Sequence, residues 1–145
     1  MPTRPDPERL AALRSLRRAH AVVERQIDRA LMTQHELPLT WFEILLALQN
    51  AGGRLRIHEL AEELMVNKSS LSRQVDRLEG LGWTRRDRSD EDGRGIVVVL
   101  TKAGRATWRS AQPTYRKVAQ QVLCAHLTDT DLVAVQRALK VLTGE

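Results

Sequence analysis

The 145-residue chain repeats apolar residues at helical spacing almost throughout and breaks that rhythm once, at Ile96-Val97-Val98-Val99-Leu100. Four β-branched residues in a row lose rotamer freedom against a preceding helical turn and fit a pleated strand instead. Upstream lie Trp83-Thr84-Arg85-Arg86-Asp87 and a polar, glycine-containing loop from Arg88 to Gly95. Two extended segments joined in this way spell a β-hairpin. Arg54-Leu55-Arg56-Ile57 is too short for a sheet of its own but long enough to add an edge strand to that hairpin. The fold class that follows is mainly α, with one small sheet set among helices.

Directly before the hairpin, residues 56–82 read as helix, tight turn, helix. The first helix spans about His58 to Met65, with Leu60, Ala61 and Leu64 inward, and the turn falls at Val66-Asn67. Asn67 is a good N-cap, Leu71, Val75, Leu78 and Leu81 line the inner side of the second helix, and Gly82 suits the left-handed residue that ends it. The outward set is Lys68, Ser69, Ser70, Ser72, Arg73, Gln74 and Arg77. Short hydroxyls let a helix approach a duplex, and Arg and Gln can bond guanine and adenine edges bidentately in the major groove. The plain alternative is a solvated polar face on a packed helix. A hairpin following at once favours a winged helix-turn-helix, whose wing lies over the adjoining duplex and can send an arginine into the minor groove.

Further helices surround this centre. Asp6 and Pro7 open the first as N-cap and first helical residue, and it runs to about Met32 with Leu10, Leu13, Leu16, His20, Val23, Ile27 and Leu31 on one stripe. So long an amphipathic helix suggests packing on a partner subunit, with ordinary intrachain packing as the alternative. Thr40-Trp41-Phe42-Glu43 has the form of a capping box opening a largely buried second helix that ends near Gly52-Gly53. After Thr101 a helix carries Ala103, Ala106, Ala111, Tyr115, Val118, Val122 and Leu123, with a kink expected at Pro113. The last helix opens at Thr128-Asp129-Thr130-Asp131, close to a capping box, and is expected to bury Leu132, Val135, Leu139 and Leu142. The domain reading is an N-terminal dimerisation helix (1–36), a winged helix-turn-helix DNA-binding domain (37–101) and C-terminal dimerisation helices (102–145).

The tract D-G-R-G-I-V-V-V-L-T, Asp92 to Thr101, resembles the D-x-R-G-x-x-V-x-L-T wing signature of the MarR family of bacterial transcriptional regulators. The E-L-A-E-E-L helix, the stretch from Asn67 to Gly82 and the T-K-A-G start of the following helix agree with that family, so the resemblance covers essentially the whole chain. It implies a homodimer with interlocked terminal helices that binds a pseudo-palindromic operator in double-stranded DNA, often as a repressor relieved by a small-molecule effector or an oxidant. Carried onto this sequence, base contacts fall on Ser69, Ser70, Ser72, Arg73 and Gln74 and the minor-groove arginine on Arg94. Lys68, Arg77, Arg85 and Lys102 are phosphate-contact candidates, with Arg86 and Arg88 also on the wing. Asp92 would pair with Arg86 or Arg88, or would simply be a turn residue before Gly93. Gly93 and Gly95 would keep the wing thin around Arg94. The acidic run Asp90 to Asp92 should repel a phosphate backbone, so Asp92 is expected to be paired and turned inward.

Composition sets limits on what else the chain can do. A net charge of +5 favours a polyanionic partner, but residues 67–105 hold nine basic against six acidic side chains, so the excess does not locate a site. No apolar run approaches the length of a membrane span and the N-terminus does not read as a signal peptide, so a cytoplasmic location is expected. His20, His35, His58, His126 and Cys124 form no catalytic or zinc-binding motif, so neither an enzyme nor a metal or cofactor is expected. His20, Trp41, Phe42 and Trp108 are candidates for an effector pocket, although the same residues would serve to pack a core or a dimer. Two alternatives stay open: oxidant sensing through Cys124, and a winged helix that holds proteins without reading DNA.

Overall fold

Asp6 opens the first helix as its position predicts: its Oδ1 accepts the Glu8 amide at 3.0 Å, and α1 (Pro7–His35) runs three residues past the expected end. The structure, a computed structural model, describes residues 6–88 and 95–145. The second helix, α2 (Leu39–Asn50), starts differently from the expectation. Pro38 is its N-cap, without a side-chain cap, and the Pro38 carbonyl accepts the amides of Trp41 and Phe42 at 3.0 Å. Thr40 therefore lies inside the helix, exposed, and does not cap it. Burial of Leu37 and Leu39 decides this start, because sinking both draws the first turn of helix upstream of Thr40. The expectation that α2 is largely buried holds: Leu39, Phe42, Ile44, Leu45, Ala47 and Leu48 all face inward.

Strand β1 (Arg54–Arg56) leads into α3 (Ile57–Leu64), and the turn to α4 (Lys68–Gly80) passes through Met65, Val66 and Asn67. Met65, the C-cap of α3, has φ +53°, a left-handed conformation that costs a side chain with a Cβ about 1–2 kcal/mol. Asn67 caps α4 as expected, its Oδ1 accepting the Ser69 and Ser70 amides at 2.8 and 3.4 Å. Leu71, Val75 and Leu78 anchor the inner face of α4. Leu81, expected with them, is half exposed, because the helix stops at Gly80 and the chain turns away through Gly82 at φ +77°.

The hairpin consists of β2 (Thr84–Arg88) and β3 (Ile96–Leu100), and β1 adds to it to make an antiparallel sheet in the order β1-β3-β2. Leu55 stands opposite Val98 on one side, and Arg86 stands opposite Val98 on the other. As the central strand, β3 is covered on both faces, so all four residues Val97 to Leu100 are buried. That double cover is the physical reason for an unbroken β-branched run where an ordinary half-buried strand would alternate. Val98 and Leu100 join Leu45, Leu48, Leu60, Leu71, Val75 and Leu78 in one core cluster.

The sheet passes into α5 (Lys102–Cys124) through a tight junction. Thr101 Oγ1 donates to the Gly82 carbonyl at 2.6 Å and accepts the Gly104 amide at 3.0 Å. A Cβ on Gly104 would lie 2.0 Å from the Trp83 carbonyl oxygen, so only glycine fits. The helix α5 continues without a break through Pro113, and α6 (Asp129–Thr143) follows with the expected capping box: Asp131 N donates to Thr128 Oγ1 at 3.2 Å and Thr128 N to Asp131 Oδ2 at 2.9 Å.

Packing divides the chain into a unit of residues 31–113 and a second unit of residues 1–30 with 114–145. These limits fall inside α1 and α5, whereas the sequence reading drew its boundaries at 36/37 and 101/102. In the second unit, the expected burial of the α6 stripe does not occur within one chain. Leu132 is half-buried, and Val135, Leu139 and Leu142 are exposed by 42%, 40% and 70%. Leu10, Leu13 and Leu16 of α1 are likewise exposed.

Candidate nucleic-acid interface

With about 100° of rotation per residue, a helix anchored by Leu71, Val75 and Leu78 must present Ser69, Arg73 and Arg77 on the opposite side. The structure places them there: Lys68, Ser69, Ser70, Arg73 and Arg77 are all exposed. Asn67 fixes the start of this face, since its carboxamide oxygen also receives the Ser69 hydroxyl. Between the first turns of α3 and α4 and the loop end of the β2–β3 hairpin runs a groove of about 830 Å³, lined by Ile57, His58, Asn67, Lys68, Ser69, Ser72, Arg73, Gly95 and Ile96. The front of the helix and the loop end of the hairpin thus share one concavity.

Two residues of the expected reading set are turned away from it. Gln74 lies on one flank of α4, half-buried, where its Oε1 accepts the Trp41 indole N–H at 2.8 Å. Its position, three residues past Leu71, brings it beside the buried stripe, so its carbonyl end serves packing. On the opposite flank the Ser72 carbonyl accepts Arg86 Nη2 at 3.1 Å. Arg86, taken from sequence as a DNA-contacting wing residue, points back at the helix: its Nη1 lies 2.7 Å from Asp76 Oδ1 and 2.6 Å from Glu79 Oε2, and its side chain is only 20% exposed. With both carboxylates close, Arg86 is engaged within the protein. Sequence reasoning missed this tie. The available signal was the i, i+3 spacing of Asp76 and Glu79, which sets two carboxylates along one flank, facing a strand known to carry arginines.

Arg85 and Arg88 are exposed on β2, and Arg85 has a loose pairing with Asp87 at 3.3 Å. Lys102 is exposed at the start of α5. The expected minor-groove Arg94, Asp92 with its proposed partner, the acidic Asp90 and Glu91, and Gly93 lie outside the described residues; Gly95 is half-buried at the foot of β3.

The four residues named for an effector pocket stand in different settings. Phe42 is fully buried, whereas Trp41 and Trp108 are half-buried and pack against the core cluster around Leu45, Leu71 and Val98. Trp41 also meets Trp83 edge-on, with ring centroids 6.1 Å apart. His20 is 70% exposed and lies 3.3 Å from Glu24 on its own helix. Cys124 is an exposed free thiol at the end of α5. Among the described residues, no group of three or more His, Cys, Asp or Glu is arranged to hold a metal ion, and no helix is long and apolar enough to cross a membrane.

A helix-turn-helix whose second helix offers a polar face beside a three-stranded wing defines a winged helix-turn-helix protein. The MarR family model matches residues 35–95, and this chain belongs to that family, one of transcriptional regulators and not of enzymes. The transcriptional regulator PecS of Dickeya dadantii is 31% identical over 101 residues, 68% of this chain and 60% of PecS. The multiple antibiotic resistance protein MarR of Salmonella typhimurium is 29% identical over 122 residues, 82% of this chain and 84% of that protein. The chain thus spans less than two thirds of PecS but most of MarR. Among solved structures, the MarR family regulator Sco3205 of Streptomyces coelicolor, in complex with DNA, matches with a TM-score of 0.89 at 28% identity, over 99% of this chain and 90% of Sco3205. AbsC of the same organism matches with a TM-score of 0.87 at 28% identity, over 97% of this chain and 95% of AbsC.

Proposed function

We propose that the chain is a sequence-specific double-stranded DNA-binding transcriptional regulator. The observation that carries this reading is the exposed front of α4: Lys68, Ser69, Ser70, Arg73 and Arg77 stand clear on a helix whose back is locked into the core, beside a wing bearing Arg85 and Arg88. Such a face meets the needs of a major groove, with hydroxyls for close approach and guanidiniums for guanine edges and phosphates. The DNA-bound state of the similar Sco3205 supports it. Arg94 is assigned to the minor groove on the family's wing signature.

The working form is a homodimer. Leu10, Leu13 and Leu16 of α1 and Val135, Leu139 and Leu142 of α6 leave apolar stripes uncovered in one chain, and a second copy offers them matching surface. Two reading heads related by a two-fold axis call for a pseudo-palindromic operator with half-sites about one helical turn, ~34 Å, apart. The regulation is repression relieved by a small ligand, a reading that rests on the family resemblance and on one lever. The Trp41–Gln74 hydrogen bond would pass any movement of Trp41 directly to the recognition helix.

The test is binding to duplexes selected by the protein from a random pool, measured at several salt concentrations. Specific affinity should fall with rising salt as counterions are released. Arg73→Ala should cost about 1–3 kcal/mol and relax preference at one base position. Unchanged binding by Arg73→Ala and Arg94→Ala would remove the assigned reading head, and absence of any selected duplex would favour a protein-holding module.

A further inference from the structure

Among the described residues, Arg86 is the most heavily engaged cation near the reading face. Its guanidinium reaches from the middle of β2 to three groups of α4: the carboxylates of Asp76 and Glu79 at 2.7 and 2.6 Å, and the Ser72 carbonyl at 3.1 Å. Those three residues occupy one flank of the helix, since steps of four and three residues return to nearly the same side. Ser72 lies beside Arg73, so the tie grips the helix at the level of the reading side chains. It also meets an electrostatic need. Asp76 is 63% exposed, and an unpaired carboxylate on the exterior of this helix would repel a phosphate backbone.

We propose that Arg86 is a positioning residue for sequence discrimination: it ties the wing strand to the recognition helix, sets the rotation at which Ser69, Arg73 and Arg77 are presented, and makes no phosphate contact of its own. This rests on the DNA-reading assignment above. A planar, always-charged fork suits the task, because it can engage two carboxylates and a carbonyl at once, which a lysine ammonium on a flexible stem cannot hold in fixed geometry.

The experiment compares wild type, Arg86→Met, Arg86→Lys and the double variant Asp76→Asn/Glu79→Gln on one selected duplex and one scrambled duplex across a salt series. Circular dichroism at the assay temperature identifies the folded variants. The expected result is a fall of about tenfold in the ratio of specific to non-specific affinity for Arg86→Met, with the slope of log affinity against log salt unchanged. Arg86→Lys should recover only part of that ratio. Asp76→Asn/Glu79→Gln, which leaves Arg86 in place but strips both charges from the tie and leaves only neutral acceptors, should lose discrimination in the same direction, and it carries the test if Arg86→Met does not fold. A slope reduced by about one in Arg86→Met with the ratio intact would make Arg86 a phosphate contact and overturn the proposal. Full discrimination by Asp76→Asn/Glu79→Gln would overturn it as well. Failure of the wild-type chain to prefer any duplex would refute the DNA-reading assignment itself, an outcome distinct from either of these.

Discussion

The Trp41 indole N–H donates to Gln74 Oε1 at 2.8 Å, joining the buried second helix to the flank of the recognition helix. A glutamine that sequence assigns to base recognition is therefore occupied at its acceptor end inside the protein. Trp41→Phe keeps most of the packing but leaves the half-buried Gln74 oxygen without its donor. The expected loss is about 1–2 kcal/mol, read as a lower urea midpoint at unchanged slope. Gln74→Ala should likewise lower stability while leaving the preferred duplex sequence unchanged, whereas Arg73→Ala should alter that preference in selection from a random pool.

Gly104 and Gly80 offer a paired test of close packing against backbone freedom. A Cβ at Gly104 would collide with the Trp83 carbonyl and with Leu100, both fixed by the sheet junction, while one at Gly80 would meet nothing within 4 Å. Gly104→Ala should cost about 3 kcal/mol, enough to show as poor solubility or a sharply lowered midpoint. Gly80→Ala should stabilise by about 0.5–1 kcal/mol through reduced freedom of the unfolded chain.

The N-terminus of α6 should depend on pH. Hydrogen bonds that the Asp131 carboxylate accepts from the Thr128 side chain and then the Thr128 backbone hold its pKa below the ordinary aspartate range. A folded pKa below the unfolded one means that the stabilisation is fully present above the unfolded value and is lost as pH falls through the folded value. Fraying of the first turn of α6 should therefore begin only below the usual aspartate titration. Following the Asp131 carboxyl carbon by NMR across an acid series checks it, and Thr128→Ala should move that midpoint upward.

Leu139→Asp places a charge in the middle of the apolar α6 stripe, at a position already 40% exposed in the single chain. Little loss of the monomer's own packing is expected. Sedimentation equilibrium should show the variant as monomer where the wild-type chain is dimer, and specific duplex binding should weaken with it, because one reading head engages one half-site. A fully dimeric Leu139→Asp protein would place the interface elsewhere.

Much of the architecture was legible in the sequence because local patterning and tertiary demand agree. Asn67 caps the recognition helix by its own side chain, Leu71, Val75 and Leu78 recur at helical spacing, and the β-branched run from Ile96 to Val99 favours a strand, which the structure shows. The start of α2 was misread because Thr40 and Glu43 have the right letters for a capping box, while burial of Leu37 and Leu39 outweighed the cap. Leu81 was misread because periodicity does not say where a helix stops.

What the sequence by itself determined is the order of elements, the helix-turn-helix followed by a hairpin, and the polar front of α4, since each follows from contacts within a few residues and from side-chain periodicity. Only the tertiary structure decided which polar residues are free to meet a partner. Ser69, Arg73 and Gln74 are all polar residues near the start of one helix, yet Gln74 is held by Trp41, thirty-three residues away in the chain. Arg85, Arg86 and Arg88 lie on one short strand, yet Arg86 alone of the three turns back to Asp76 and Glu79. Hydrogen bonds and ion pairs depend on distances of about 3 Å between side chains far apart in sequence, and those distances exist only once the core has packed.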